Sequence, residues 1–329
     1  MTPTDTEPAT AQILAVGEPM LEFNADANGA LDRAESFTVG YGGDTSNFVV
    51  AAARSGGLAG YVARIGDDAF GTALTRLWER EGVATEHVTR EPGGRTGIYF
   101  IARSPAGHAF TYYRTGSPAS RLTPDDIPEQ AVAQARLLHV TGITQAIGPT
   151  VCDAAFHAMT VARTHGTLVT YDPNHRPALW SQERARAVIL RSLELCDVAL
   201  PNLDEGRMLT GEQSPEAVLR ALCARGPRVV VLKLGEEGAL VAEDGEVTRV
   251  PPHRVTAVDA SGAGDTFDGA FAARLVEGAS PVEAARYAAV AAALTTTGHG
   301  AVRPIPDRPS VLSHLAAAAH ESAVGRASR

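Results

Sequence analysis

The chain has 329 residues, 44% of them hydrophobic and 20% charged, with a formal net charge of −9. That profile suits one large globular domain with room for an appendage, and a negative balance without a Lys/Arg block argues against a nucleic-acid partner. Cys152, Cys196 and Cys223 are scattered, odd in number and form no CxxC pair, which argues against a disulfide framework or a structural zinc site and suits the reduced thiols of a cytoplasmic protein.

The opening "MTPTDTEPATAQ" is polar and lacks the basic start and apolar centre of a signal peptide. A disordered tail is expected over residues 1–11. "ILAV" (Ile13–Val16) predicts the first strand. A helix is predicted over Thr45–Ser55, with Phe48, Ala51, Ala52 and Ser55 on one side. Asp67 and Asp68 begin the next, whose stripe Phe70, Leu74, Leu77 and Trp78 has i, i+4, i+7, i+8 spacing. "TGIYFIARSPAGHAFTYYRT" (Thr96–Thr115) instead alternates with period two around the turn signal "SPAGH". With the polar segment near Phe23 to Val39 it predicts a small β appendage, which would pack on another copy or close over a site.

Buried strands are predicted at Leu137–Ile143, Thr167–Asp172, Val198–Asn202 and Val229–Gly235, most of them preceded by helical segments. That alternation predicts a mostly parallel sheet with helices on both faces. "HESAVGRASR" at the end reads as a solvated tail, and no apolar run is long enough to span a membrane.

The chemistry-bearing motifs lie where strands meet helices. "YGGDTSNFVVAAARSG" (Tyr41–Gly56) opens a helix with Gly42, Gly43, Asp44 and Asn47. This is either a helix cap or a set of donors and acceptors for a polyhydroxylated ligand. In "YDPNHRPALW" (Tyr171–Trp180) a strand ends near Asp172, and Arg176 on the following loop is a surface charge or a bidentate anion clamp. "PNLDEGRMLTG" (Pro201–Gly211) sets Asn202 and Glu205 past another strand, as a polar helix start or as groups that reach a metal–phosphate complex. "KLGEEGAL" (Lys233–Leu240) reads as a tight hairpin.

"VDASGAGDTFDGAF" (Val258–Phe271) is the most specific of these. Gly262, Ala263 and Gly264 bare backbone N–H groups at the mouth of a helix carrying Phe267, Ala270, Phe271 and Leu275 at helical spacing. Such an N-terminus attracts anions. Asp265 would repel a phosphate there unless it has a chemical role. A phosphate cradle edged by an acid suits phosphoryl transfer to a hydroxyl, the N–H groups stabilising charge and the acid taking the proton. The plainer alternative is a strand turning into a capped helix. The chain has no Walker A sequence, and no GxGxxG follows the first strand.

In this order, from "VGEPMLEF" to "HGAVRP", Gly42–Gly43–Asn47, Asn202–Glu205, "KLGEEG" and "DASGAGDTF" resemble the ribokinase-like, or PfkB, carbohydrate kinases. The resemblance implies a ribokinase-like α/β domain over residues 12–318, with β-sheet lid segments near 22–40 and 96–116 and a C-terminal tail at 319–329. It implies Mg2+-ATP, Asp265 as base, and Gly262, Ala263 and Gly264 as the anion hole. Asn202 and Glu205 would support metal and phosphates, Lys233, Gly235 and Gly238 would lie with the nucleotide, and Asp259 beside a monovalent cation such as K+.

Within the family the chain is similar to 2-keto-3-deoxygluconate kinases. "GGDTSN", "TYYRTGSPAS" and "DPNHRPALW" resemble their sugar-site segments, which implies that Gly42, Gly43, Asn47, Tyr99, Tyr112, Arg114 and Arg176 contact the sugar. His175 stands where a Tyr is frequent, and "TTGHGAVRP" lacks an acidic residue that some such kinases carry. The alternatives are a fructokinase or ribokinase, which needs no carboxylate clamp, and a catalytically silent sugar-binding protein. The lid is expected to cover the sugar and to pair two subunits.

Overall fold

A computed structural model describes residues 11–104 and 107–327. The expected N-terminal tail up to residue 10 and the centre of the "SPAGH" turn lie outside those residues. The first half of the chain forms β1 (Ile13–Val16), β2 (Met20–Asn28), β3 (Phe37–Gly42), α1 (Asp44–Arg54), β4 (Ala59–Gly66), α2 (Ala69–Glu81), β5 (Val88–Glu91), β6 (Ile98–Ser104) and β7 (Gly107–Tyr113). Next come α3 (Glu129–Gln134), β8 (Leu137–Thr141), α4 (Gly142–Ala146), α5 (Pro149–His165), β9 (Leu168–Asp172), α6 (Gln182–Leu193), β10 (Val198–Ala199), α7 (Leu203–Thr210) and α8 (Pro215–Cys223). The last third holds β11 (Val229–Lys233), β12 (Ala239–Glu243), β13 (Glu246–Val250), α9 (Ala263–Val276), α10 (Pro281–Thr295) and α11 (Arg308–Ala327).

Nine strands make the main sheet in the order β13-β12-β11-β10-β9-β8-β1-β4-β5. It is parallel from β5 to β11 and antiparallel through β12 and β13. β1 shows why its strands read as unbroken apolar runs. Ile13 and Ala15 point into one hydrophobic cluster, with Phe48, Tyr61 and Trp78; Leu14 and Val16 point into another, with Val140, Met159 and Val169. Both faces are covered by helices, so neither register of the pleat can be polar. The second sheet, β3-β2-β6-β7, is the expected appendage.

Three features differ from the sequence reading. Phe70 leads the predicted α2 stripe yet is 37% exposed; its ring packs edge-on against Phe23 of the appendage. Strands β4 and β5 and the β12–β13 hairpin, which turns at Asp244–Gly245, are absent from the predicted elements. The expected C-terminal tail at 319–329 continues α11 as far as Ala327, because Val311 and Leu315 seat that helix on the α9–α10 core and Ala-rich sequence favours propagation. Among the described residues, no helix is long and apolar enough to cross a membrane.

Candidate active site

The parallel strands β1, β8, β9, β10 and β11 end at one edge of the sheet, where open α/β sheets bind their ligands. The second sheet lies over that edge, and a cleft of about 1690 Å³ opens between them. Every candidate residue except Gly42 lines it. Gly42 acts by omission: a Cβ there would strike the Tyr99 hydroxyl. That buried tyrosine donates to Glu22 Oε2 at 2.6 Å. At Gly43, φ is 92°, and a side chain would hit the Glu18 carbonyl.

At the head of α9, Gly262 is left-handed (φ 73°), and a Cβ would lie 2.6 Å from the Ala301 carbonyl oxygen. The Ala263 N–H donates to Ala260 O at 3.2 Å. One expected anion-hole donor is therefore spent in closing the turn. Gly264 differs: a Cβ there would meet only Lys233 Nζ, at 3.8 Å. The space over the second helical residue is open to the cleft.

Asp265 follows. Asn47 Nδ2, on α1, donates to its Oδ2 at 2.8 Å. Burial, reinforced by the nearby Asp44 carboxylate, lifts its pKa to about 7. A carboxylate so placed can take a proton near neutral pH. Asp259 pins the preceding loop: Oδ1 accepts from Ser261 N at 2.9 Å and Oδ2 from Gly300 N at 3.0 Å.

Beneath the helix head lies a buried charge cluster. Lys233 Nζ donates to Asp172 Oδ2 at 3.1 Å and to Asp268 Oδ1 at 3.1 Å. Burial opposes the ammonium, but Asp172 and Asp268 hold it above its usual range. Burial likewise pushes Asp172 up and is outweighed by Lys233, while burial drives Asp268 well up. Glu205 completes a capping box with Asn202: its Oε2 accepts from Asn202 N at 3.0 Å, and Asn202 Oδ1 accepts from Glu205 N at 2.9 Å. Oε1 reaches across to His175 N at 2.9 Å. Burial, with Asp172 nearby, raises Glu205 to about 7.

The two arginines of the opposite wall are unlike. Arg114 is ion-paired to buried Glu18, whose other oxygen accepts from Ser117 Oγ at 2.5 Å. Arg176 is exposed and donates to the His175 carbonyl at 3.2 Å. Among the described residues no carboxylate pairs with Arg176. Between them, Asp44 takes a 2.6 Å hydrogen bond from Thr141 on Oδ2. Its Oδ1, like Asn47 Oδ1, is a buried acceptor without a partner among the described residues. Such orphaned oxygens suit the hydroxyl groups of a polyol.

The far end of the cleft is an apolar slot between the Gly235–Gly238 turn, the 252–258 segment and the Ala289, Ala292, Ala293 and Thr296 face of α10. Sequence reading did not single out this slot, although the alanines recur at i, i+3, i+4. It also passed over Glu18, Glu22 and Asp268, buried acids whose meaning depends on what folds beside them.

Residues 10–308 match the family model described as pfkB family carbohydrate kinase. The chain belongs to that family. It is 36% identical over 307 residues to the 2-dehydro-3-deoxygluconokinase of Thermoproteus tenax, covering 91% of this chain and 93% of that one. It is 32% identical to probable fructokinase-4 of Arabidopsis thaliana, covering 92% and 96%. The fructokinase of Vibrio cholerae O395, solved with fructose, ADP and calcium ion, superposes with a TM-score of 0.83 at 27% identity, covering 93% and 99%. The chain is thus a ribokinase-like sugar kinase. Its cleft runs from the face of the second sheet, past the head of α9, to the slot beside α10.

Proposed function

We propose that this kinase transfers the γ-phosphoryl group of ATP to the 6-hydroxyl of an acidic keto-sugar of the 2-keto-3-deoxygluconate type. The observation that carries the reading is the contrast between the arginines. Arg114 is already neutralised by Glu18, whereas Arg176 lines the cleft with a guanidinium that no described carboxylate ion-pairs. A sugar carboxylate is the partner such a group suits. The names of relatives divide between gluconate-type and fructose-type kinases, so charge recognition at Arg176 decides between them.

In this reading the sugar lies among Gly43, Asn47, Tyr99, Tyr112 and Arg176, and its hydroxyls satisfy Asp44 Oδ1 and Asn47 Oδ1. Asp265 takes the acceptor proton as the hydroxyl oxygen bonds to the γ-phosphorus. The bond from the γ-phosphorus to the bridging oxygen breaks, and ADP leaves. The N–H groups of Gly264 and Asp265 face the charge gathered on the transferring group.

ATP fits the apolar slot with its phosphates toward α9. Among the described residues no three acids, histidines or cysteines cluster to hold a metal, which fits Mg2+, an ion that keeps its waters and rides on substrate phosphates with one or two carboxylates. Glu205, with Asn202, is the group placed to support it. Mg2+, when bound, neutralises phosphate charge. Asp259 keeps the loop in place, and a monovalent cation beside it belongs to the same proposal.

The test is kinetic. Arg176→Ala is expected to lower kcat/KM for 2-keto-3-deoxygluconate by at least about tenfold, the value of one charge-assisted hydrogen bond. Fructose, which has no carboxylate, is expected to lose far less. Equal losses on both, or a wild-type preference for fructose or ribose, would move the protein to the fructokinase or ribokinase reading.

A further inference from the structure

Lys233 occupies an unusual place for a residue of a nucleotide-side turn. Its ammonium bridges the end of β9, through Asp172, to α9, through Asp268, and lies below Gly264. Asp172 in turn accepts from Asn174 N at 3.0 Å with Oδ1, holding Asn174 at a φ of 34°. That bent loop carries Arg176. One buried cation therefore ties the sugar-side loop, the last parallel strand and the phosphate-side helix to a common point. An ammonium with two carboxyl partners at 3.1 Å has little left to offer a phosphate.

We propose that Lys233 is a positioning residue: it locks the head of α9, with Gly264 and Asp265, in register with the Asp172–Arg176 loop, and it is not a phosphate ligand. The inference rests on α9 being the phosphoryl-transfer end of the site. Its signature is a loss in kcat with little change in binding, since a misplacement of about 1 Å costs on the order of 10²-fold in rate while leaving contacts made.

The experiment uses the full-length enzyme with Lys233→Met, Asp268→Leu and the double variant. Asp268→Leu cuts only the α9 arm and leaves the Lys233–Asp172 pair. We expect each single variant to lower kcat by at least about 30-fold, with the KM of either substrate and the calorimetric affinity for ATP shifted less than about threefold. The double variant is expected to lose far less than the product of the two, as groups acting through one contact do. Weakened ATP affinity of about tenfold or more in Lys233→Met, with saturated kcat kept, would make it a phosphate ligand and overturn the proposal. So would an unchanged kcat in either variant. If Lys233→Met does not fold, Asp268→Leu alone decides, by the same split. The readings use whichever sugar the wild-type enzyme turns over, so an error about the sugar leaves this test intact.

Discussion

Asp265 shows how far a single side chain depends on its setting. Its carboxyl is buried in the cleft with Asn47 as donor and Asp44 as repelling neighbour. A base with a pKa of about 7 should give a kcat/KM that falls tenfold per unit on the acid side of about pH 7 and levels above it. Asp265→Asn should retain the fold, because a carboxamide oxygen still accepts from Asn47, and should lower kcat by about 10²–10⁴. The same variant has a stability signature with a definite sign. The folded pKa, about 7, is raised above the ordinary 3.8, so the folded chain holds the extra proton and wild-type stability declines as pH rises between those values. Above that window the full cost of a buried charge remains. Melting curves should therefore place Asp265→Asn above wild type at pH 8, by a wider margin than at pH 5. A variant less stable than wild type at pH 8 would mean that the carboxylate stabilises the fold.

At the scale of the element, the α9 head separates two glycines that look alike in sequence. Gly262 is required by backbone geometry: its φ is 73°, and the Ala301 carbonyl closes the space a methyl would need. Gly262→Ala should cost about 1–3 kcal/mol in denaturant unfolding, the usual cost of a left-handed non-glycine residue. Gly264 is helical and open. Gly264→Ala should leave stability unchanged or raise it by up to about 1 kcal/mol through helix propensity, while its methyl crowds the anion pocket and slows turnover. Finding both variants stable and active would remove the anion-hole role from this loop. A lower melting point for Gly264→Ala would show that the position is structural.

At the scale of the whole molecule, the site is complete only when the two sheets act together. Tyr99 and Tyr112 pair across β6 and β7 on the cleft face of the second sheet, and Tyr112 is still 41% exposed. That exposure suits a surface that is to be covered by sugar. Addition of sugar should contract the molecule, seen as a smaller radius of gyration in solution scattering, with water excluded as the lid closes. An identical radius with saturating sugar would count against closure.

The family, the parallel α/β architecture and most of the residues that line the cleft were legible in the sequence, because each is written in local pattern: apolar runs of strand length, glycines ahead of a helix, an acid directly after Gly264 at the α9 head. Which partner each charged group meets is decided only in three dimensions. "KLGEEG" reads as a nucleotide-side turn, yet Lys233 meets Asp172 and Asp268, 61 and 35 residues away. Arg114 and Arg176 read alike along the chain and differ because Glu18, just past the end of β1, folds against the first alone. A side chain's charge is a local property. Its partner, and with it the work that charge is free to do, is set by which strand ends the sheet gathers at one edge.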